Sequence, residues 1–553
     1  MSGPSRPPAG RKPATSGTKP DGAGAPGRTA AELRERTEPE GARELVRPTE
    51  QMPAPRERPV RRHSRLPTAA WVCFTVGLLN GIAWGLITPL FQTPDEAGHV
   101  AYIQYVAETG KPPTGRSGLS HFSQEERRLL DALRWKDVQR RKDDHLPGTA
   151  TYRKRLERTA DAPADRQSAG GYTTDTNNPP LYYFGAAAVY HLSPWTALPD
   201  RVHILRLLSA LLAATTVLFV FLFLRELLPS TPWAWPVGAL AVAFQPMFGF
   251  TSSGVTSDTV LYTASAGTFF LFALAFRRGL TPRLGAAIGG LAAVGLLSKL
   301  NMLGLAPGIL FGLLVLVLRS DGDRRRVAIR GALAALAVIA VPVITYMALN
   351  STVWDRNLWF GTSGVPPLRI KVPGVHHPKS GTLLDLANYM WQFYLPKLPF
   401  VHTTYFESYQ LRETWFNGFI GQFGWLDFGF PQWVYNWSLA LFLGLLALVG
   451  RELVRLRQVL RSRLWELATY VVLTFSLLLL ISGTSFVARL DGASGYEQPR
   501  YLFPLLALYG ALIALAARGA GRRYGPAVGV LIVCIAIAHT AGAILLTVTR
   551  YYG

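Results

Sequence analysis

Cysteine is nearly missing from this 553-residue chain: there are two, Cys73 and Cys534, each inside an apolar run. A disulfide scaffold and a cysteine-rich metal site are excluded, and buried free thiols are the expected state. Charge is scarce as well, at 17% of residues, and one-sided, with 57 Lys and Arg against 35 Asp and Glu for a net charge of +22. So little charge, with a mean hydropathy of +0.18, does not suit a soluble enzyme, whose wetted surface needs more of it. It also excludes a chain that is disordered throughout. A basic excess can mean a nucleic-acid partner, but here the apolar runs point to membrane and not to nucleic acid.

Large apolar side chains are almost absent from residues 1–66, a mixture of Pro, Gly, Arg and Glu. That segment cannot bury enough surface to offset its ordering entropy, so a disordered basic tail is expected. It is too long and polar for a signal-peptide n-region, and the apolar stretch that follows has no small-residue cleavage site. Arg58, Arg61, Arg62 and Arg65 stand just before that stretch and should hold the N-terminus in the cytoplasm of a multi-pass cell-membrane protein.

A membrane helix needs about 20 apolar residues. Candidates lie near 69–90, 204–224, 233–250, 258–276, 283–299, 300–318, 327–349, 432–450, 464–482, 501–517 and 525–547, about eleven in all. Residues 67–553 therefore read as an all-α polytopic membrane domain. With the N-terminus inside, each short cytoplasmic loop carries arginine: Arg225; Arg277 and Arg278; Arg324, Arg325, Arg326 and Arg330; Arg451, Arg455, Arg457 and Arg461; Arg518, Arg522 and Arg523. Two outer loops are long, 91–180 and 350–431. The first holds an amphipathic pattern near 123–142 and, at 179–194, an aromatic stretch read as an interfacial helix, with a true span as the alternative. The second is crowded with aromatics, among them Trp354, Trp359, Trp391, Phe393, Trp415 and Trp425, suited to the lipid boundary or to stacking on sugar rings. No internal repeat marks a transporter made of duplicated halves.

Phe91-Gln92-Thr93-Pro94-Asp95-Glu96-Ala97-Gly98-His99 follows directly on the first span. Thr93 as N-cap, Pro94 at the first helical position and Glu96 at the third would form a capping box. The same two carboxylates, held at the lipid boundary, would have a pKa raised by desolvation, which makes a useful base. His99 and Tyr102 follow on the same helical face. Asn177-Asn178-Pro179-Pro180-Leu181-Tyr182-Tyr183 enters the aromatic stretch, with Asn side chains able to bind a hydroxylated acceptor. Asp258 opens a span and is either a cap or a functional acid. Lys299, between two spans, either snorkels or binds phosphate. Arg500, in Glu497-Gln498-Pro499-Arg500-Tyr501, stands on the outer side and needs an anionic partner, from the protein or from a lipid. Asp95, Glu96, His99, Asp258, Lys299 and Arg500 share one depth at the outer boundary.

The run from Pro94-Asp95-Glu96 to His99, then Tyr102-Ile103-Gln104-Tyr105 and Glu108-Thr109-Gly110-Lys111-Pro112-Pro113, resembles the opening of the bacterial membrane-protein family named domain of unknown function 2142. Asn178-Pro179-Pro180-Leu181-Tyr182-Tyr183, Phe423-Gly424-Trp425-Leu426-Asp427 and Gln498-Pro499-Arg500-Tyr501 continue it in order, over roughly residues 70–515. That family is similar to the GT-C class of polytopic glycosyltransferases, which use a sugar linked to a polyprenyl phosphate. The resemblance implies a catalytic acid pair at Asp95 and Glu96, a Pro-Pro-Leu-Tyr-Tyr helix of the same loop at 179–183 and a further acid at Asp258. Two departures are Asn178, where many GT-C relatives carry His, and Pro499, where the family often has Gly.

Taken together, Asp95 is the expected general base, Glu96 orients acceptor or metal, and Lys299 and Arg500 neutralise the leaving phosphate. His99, Tyr102, Asn178, Tyr182 and Asp258 are expected to contact substrate. The expected partners are a polyprenyl-phosphate-linked sugar, a cell-envelope glycan or protein acceptor, and membrane lipid. No cofactor is defined, since two acids and a distant aspartate do not specify the divalent metal that could join them. The alternative function is a flippase or permease for a lipid-linked glycan, which should carry polar residues through the midplane.

Overall fold

A segment that crosses hydrocarbon alone has to satisfy its own backbone hydrogen bonds, so each apolar run folds as a helix. The computed structural model describes residues 66–114, 121–141, 145–146, 150–161, 165–167, 174–192, 196–356, 381–398, 405–406, 410–490 and 497–553. The expected tail, apart from Leu66, lies outside these residues, as do Trp359 and parts of both long loops. Among the described residues nine helices are long and apolar enough to cross a membrane: Thr68–Ile87, Leu198–Leu227, Asp258–Arg278, Leu300–Leu318, Gly322–Thr352, Gln432–Arg455, Leu464–Leu490, Pro499–Gly519 and Gly525–Tyr552.

Two expected spans are shorter than a full crossing. The run 233–250 breaks into Ala234–Ala243 and Pro246–Ser252. Pro246 has no N–H to continue a helix, and Gln245 caps the new one by accepting from Phe248 N at 2.5 Å. The run 283–299 stops at Leu296, and Lys299 is already extended. A two-stranded hairpin, Gln422–Phe423 with Phe428–Gly429, is the only sheet among the described residues.

The two long loops are docked on the bundle. The amphipathic pattern near 123–142 forms two helices, Gln124–Ala132 and Trp135–Arg140, broken at the left-handed Arg134. Leu129, Leu130 and Val138 are buried. Residues 181–190 form a ten-residue helix whose first N–H donates to Leu297 O at 3.0 Å. In the second loop Tyr389 OH meets Ser485 Oγ at 2.8 Å, and Arg489 on the same span pairs with Glu497 at 2.8 Å. Phe393 and Trp415 pack edge to face in a buried cluster, so they are core and not a sugar platform. At the far end of the chain Arg550 donates to Val138 O at 2.7 Å and Arg141 O at 2.9 Å and pairs with Asp427 at 3.3 Å, joining the first loop to the hairpin.

One buried ion pair fixes the exit of the first span. Arg206, on Leu198–Leu227, forks onto both oxygens of Glu96 at 2.7 Å. It also donates to the carbonyls of Gly85 (2.8 Å), Thr88 (2.6 Å) and Pro89 (2.8 Å), where the first helix ends. Those are the orphan acceptors of a helix C-terminus, and an arginine fork suits them. Both residues are buried. A buried carboxylate stripped of its countercharge costs about 3–5 kcal/mol. Arg206→Met is therefore expected to melt well below the wild-type protein in detergent, with Glu96→Gln added to it restoring part of the loss. Thermal unfolding followed by intrinsic fluorescence checks this, and an unshifted Arg206→Met transition contradicts it.

Candidate functional site

Between the first span and the helix Glu96–Thr109 the backbone is strained. Phe91 and Asp95 both adopt left-handed conformations, φ 63° and φ 65°. Each such residue without glycine's freedom costs on the order of 1 kcal/mol or more and has to be held. Glu96 does part of the holding, accepting Phe91 N at 2.8 Å and Val255 N at 3.0 Å. The second bond ties this loop to the segment before Asp258. Gly254 makes the approach possible, since a Cβ there would lie 2.5 Å from Thr93 Cβ.

The result is a quartet of charges from four distant stretches of chain. Arg500 contacts Asp95 through Nη2 and reaches Asp258 Oδ2 with Nη1 at 3.5 Å. Lys299 Nζ lies 3.0 Å from Asp258 Oδ1. Three of these side chains are closed off, at 5% exposed for Asp258, 6% for Arg500 and 12% for Lys299, while Asp95 is 23% exposed. Asp95 is thus the carboxylate that an incoming molecule can reach. Arg500 Nε is buried with no protein partner, a donor left over for a ligand.

A second network runs alongside. His99 Nδ1 lies 2.9 Å from Tyr183 OH, and its Nε2 lies 3.3 Å from Thr256 Oγ1. Thr256 Oγ1 in turn accepts Asp258 N at 3.2 Å. Tyr183 OH also accepts Asn178 Nδ2 at 3.3 Å, and Tyr102 stacks on the Tyr183 ring at 3.6 Å between centroids. Tyr102 OH reaches Asn178 O at 3.4 Å. His99, Tyr102 and Asn178 thereby bind one another and set the backbone of Asp258. Tyr182 packs at the edge of Tyr183, and burial pushes its hydroxyl up, so it stays protonated.

Several expectations change. The capping box does not form: Asp95, not Thr93, precedes the helix, and the Glu96 carboxylate is engaged by Arg206, Phe91 N and Val255 N. Glu96 therefore has no room to orient an acceptor or a metal. Asp258 makes no side-chain cap, because its oxygens face Lys299 and Arg500. Lys299 pairs and does not merely snorkel. Arg206 is not among the expected site residues, and Tyr183 stands in the sequence only as part of the Asn178–Tyr183 motif. An arginine within the start of an apolar span, with Arg201 one turn and a half before it, was the available signal for the first.

The electrostatics follow from burial and neighbours. Burial raises the Asp95 carboxyl, and Arg500 beside it outweighs burial, so the group stays below the usual carboxylate range. A desolvated, high-pKa base is thus not what this state presents. Burial, with Lys299 nearby, pulls His99 from 6.5 down to about 3, so the imidazole is neutral. Among the described residues no three His, Cys, Asp or Glu side chains gather as metal ligands. Asp95 and Asp258 face side-chain cations instead.

A protein-family model described as "Predicted membrane protein (DUF2142)" matches residues 78–509. The chain belongs to that family. Among solved structures, the oligosaccharyltransferase of Archaeoglobus fulgidus in its apo form is similar at a TM-score of 0.41 and 14% identity, over 87% of this chain and 56% of that one. The chain thus spans little more than half the length of that protein. No curated protein matches the sequence.

His99 gives a measurable pH signature. Its folded value lies below its ordinary one, so the unfolded chain binds a proton that the folded chain refuses, and stability is lost as pH falls from about 6.5 toward about 3. His99→Gln keeps a polar group and removes the titration. The melting temperature of wild type is expected to drop more steeply than that of His99→Gln between pH 6.5 and 4, a window taken from the same shift. Parallel curves in a thermal series would assign the titration elsewhere.

Proposed function

We propose that this protein is a membrane glycosyltransferase that moves a sugar from a polyprenyl-phosphate carrier to a hydroxyl of a cell-envelope glycan, or of a protein, on the outer face of the membrane. The observation that carries the reading is the single guanidinium of Arg500 between Asp95 and Asp258, with Lys299 beside it. That set holds two cations for a phosphate and one reachable carboxylate for a proton.

The step is a displacement at the anomeric carbon. The acceptor hydroxyl oxygen forms the new bond to C1 while its proton passes to Asp95. The bond from C1 to the carrier phosphate breaks, and its electron pair leaves on the phosphate oxygen. Negative charge grows there, and Lys299 and Arg500 are placed to stabilise it. Phosphate entering the quartet competes with Asp95 for Arg500. Asp95 then loses the cation that lowers its pKa, and burial, which raises it, makes it a stronger base. Gln92, Thr93, Ser257 and Ser298, each within three residues of Asp95, Asp258 or Lys299, carry buried polar atoms with no partner. Such groups are costly unless a ligand supplies the bond, and a sugar is rich in hydroxyls.

Two further features suit this reading. An apolar groove of about 740 Å³, lined by Leu303, Gly304, Pro307, Leu479, Leu480 and Phe486, begins four residues beyond Lys299 and would take an isoprenoid chain. The arginine-bearing short loops lie at the opposite end of the bundle, where Arg277 pairs with Glu226 at 2.6 Å and Arg518 with Glu452 at 2.8 Å, and the positive-inside rule then supports an outer position for the quartet. In the spans the charged residues lie at the two ends and leave the middle without Asp, Glu, Lys or Arg, which disfavours a permease.

Asp95→Asn, at normal protein level, is expected to lower sugar transfer from a polyprenyl-phosphate donor in membranes by about 100-fold or more, the usual worth of a general base. Asp95→Glu should keep part of the rate. Transfer at the wild-type rate by Asp95→Asn removes the proposed base.

A further inference from the structure

A second cavity lies apart from the ion quartet, between the segment Leu411–Asn417 and the first turns of the helix Gln432–Arg455. Its volume is about 910 Å³, within the roughly 300–1,000 Å³ of sites that hold a small organic molecule. Its two halves differ chemically. Arg412, Glu413, Asn417, Gln422 and Gln432 line one part, and Phe416, Leu439, Phe442 and Leu443 line the other. From Gln432 to Leu443 the helix climbs about 16 Å, so polar mouth and apolar floor are stacked along a membrane-crossing helix. Leu443 is 56% exposed on that helix, so the floor opens sideways to hydrocarbon.

Two independent observations mark the cavity as a ligand site. Asn417 is buried, at 6% exposure, and its side-chain oxygen has no hydrogen-bond partner although it belongs to a residue lining the cavity. A buried acceptor left empty is unfavourable unless a ligand donates to it. In addition, Leu411–Asn417 is a π-helix of seven residues. This form is rare, usually limited to a single turn, and concentrated at functional sites.

We propose that this cavity binds a glycolipid, with its hydroxylated head at Asn417, Gln422 and Gln432 and its hydrocarbon chain along Leu439, Phe442 and Leu443. Amide side chains both donate and accept, which matches hydroxyls. A phosphate head fits less well, because the one cation of the lining, Arg412, stands beside Glu413 and already donates to Asn436 Oδ1 at 2.5 Å. Gly418, the next residue after Asn417, approaches Pro499 so closely that a Cβ would lie 2.9 Å from its ring, and Arg500 follows. The cavity wall thus abuts the quartet. Its ligand is the acceptor of the transfer reaction, an identification that rests on the function proposed above.

The test uses the full-length protein in lipid nanodiscs and an alkyl glucoside with a photoactivatable diazirine in its chain. Labelling is expected at residues 439–443, competed by plain alkyl glucoside and not by phosphatidylglycerol. Asn417→Leu should lower it by about fivefold, the worth of one hydrogen bond. Leu439→Trp, which fills the floor, should lower it as well, whereas Leu453→Trp, farther along the same helix, should not. Labelling that ignores both cavity variants, or that phosphatidylglycerol competes equally, means bulk lipid against the helix and overturns the site. Asp95→Asn should label normally, because binding needs no chemistry. Loss of transfer with labelling intact therefore leaves this inference standing, and failed labelling in an active enzyme defeats it alone.

Discussion

A guanidinium shared by two carboxylates is the constraint on which this end of the bundle turns. Arg500 opens one span, Asp258 opens another, and Asp95 sits in the loop after the first. A charge at this burial is tolerable only when it is paired. None of the three segments can reach its place without the others, and Lys299 completes the balance at two positive and two negative charges. The quartet therefore fixes how three spans meet, which is why a charged cluster can survive so near hydrocarbon.

Asp95 and Glu96 show how adjacent acids come to serve different ends. A regular capping box would have directed both carboxylates toward one helix N-terminus. The left-handed conformation at Asp95 turns the chain between them. Glu96 then falls into the fork of Arg206 and becomes part of the scaffold, while Asp95 faces Arg500 and stays accessible. The strain at Phe91 and Asp95 is offset by the bonds that Glu96 makes to Phe91 N and Val255 N. The scaffolding acid thus maintains the backbone geometry that presents the accessible one.

Much of this was legible in the sequence, for reasons that differ by residue. The long spans are read from apolar length alone, because hydrocarbon permits no other solution. Asp95, Asp258, Lys299 and Arg500 stood out because each is a charge at the apolar boundary, where only pairing or function retains it. Their lateral meeting was not legible, since depth follows from position along a span while lateral neighbours depend on packing. The break at Gln245-Pro246 was signalled by the proline but masked by the apolar residues on either side. Glu96 was misread because Thr93-Pro94-Asp95-Glu96 fits a local rule that a distant arginine overrides. His99 and Tyr102 share a helical face in the sequence pattern, but the bonds that join them to Asn178 through Tyr183 appear only in three dimensions.

The quartet also bears on how a transferase that works beside water would avoid wasting an activated sugar. With no donor bound, Asp95 is held ionised but quiet, its basicity lowered by Arg500. A phosphate brings negative charge into a site already balanced, and the balance has to shift. In the proposed reaction Arg500 and Lys299 would turn toward the phosphate and release Asp95 to a desolvated setting that strengthens it as a base. Base and leaving-group stabilisation would then arise from one exchange of partners. A neutral His99 is necessary for this, since an imidazolium next to the quartet would add a third cation and keep Asp95 weak whether or not donor is present. Burial, with Lys299 nearby, keeps His99 uncharged, while Tyr183 and Thr256 hold its ring in place, and in the proposed reaction the switch would then be left to the phosphate.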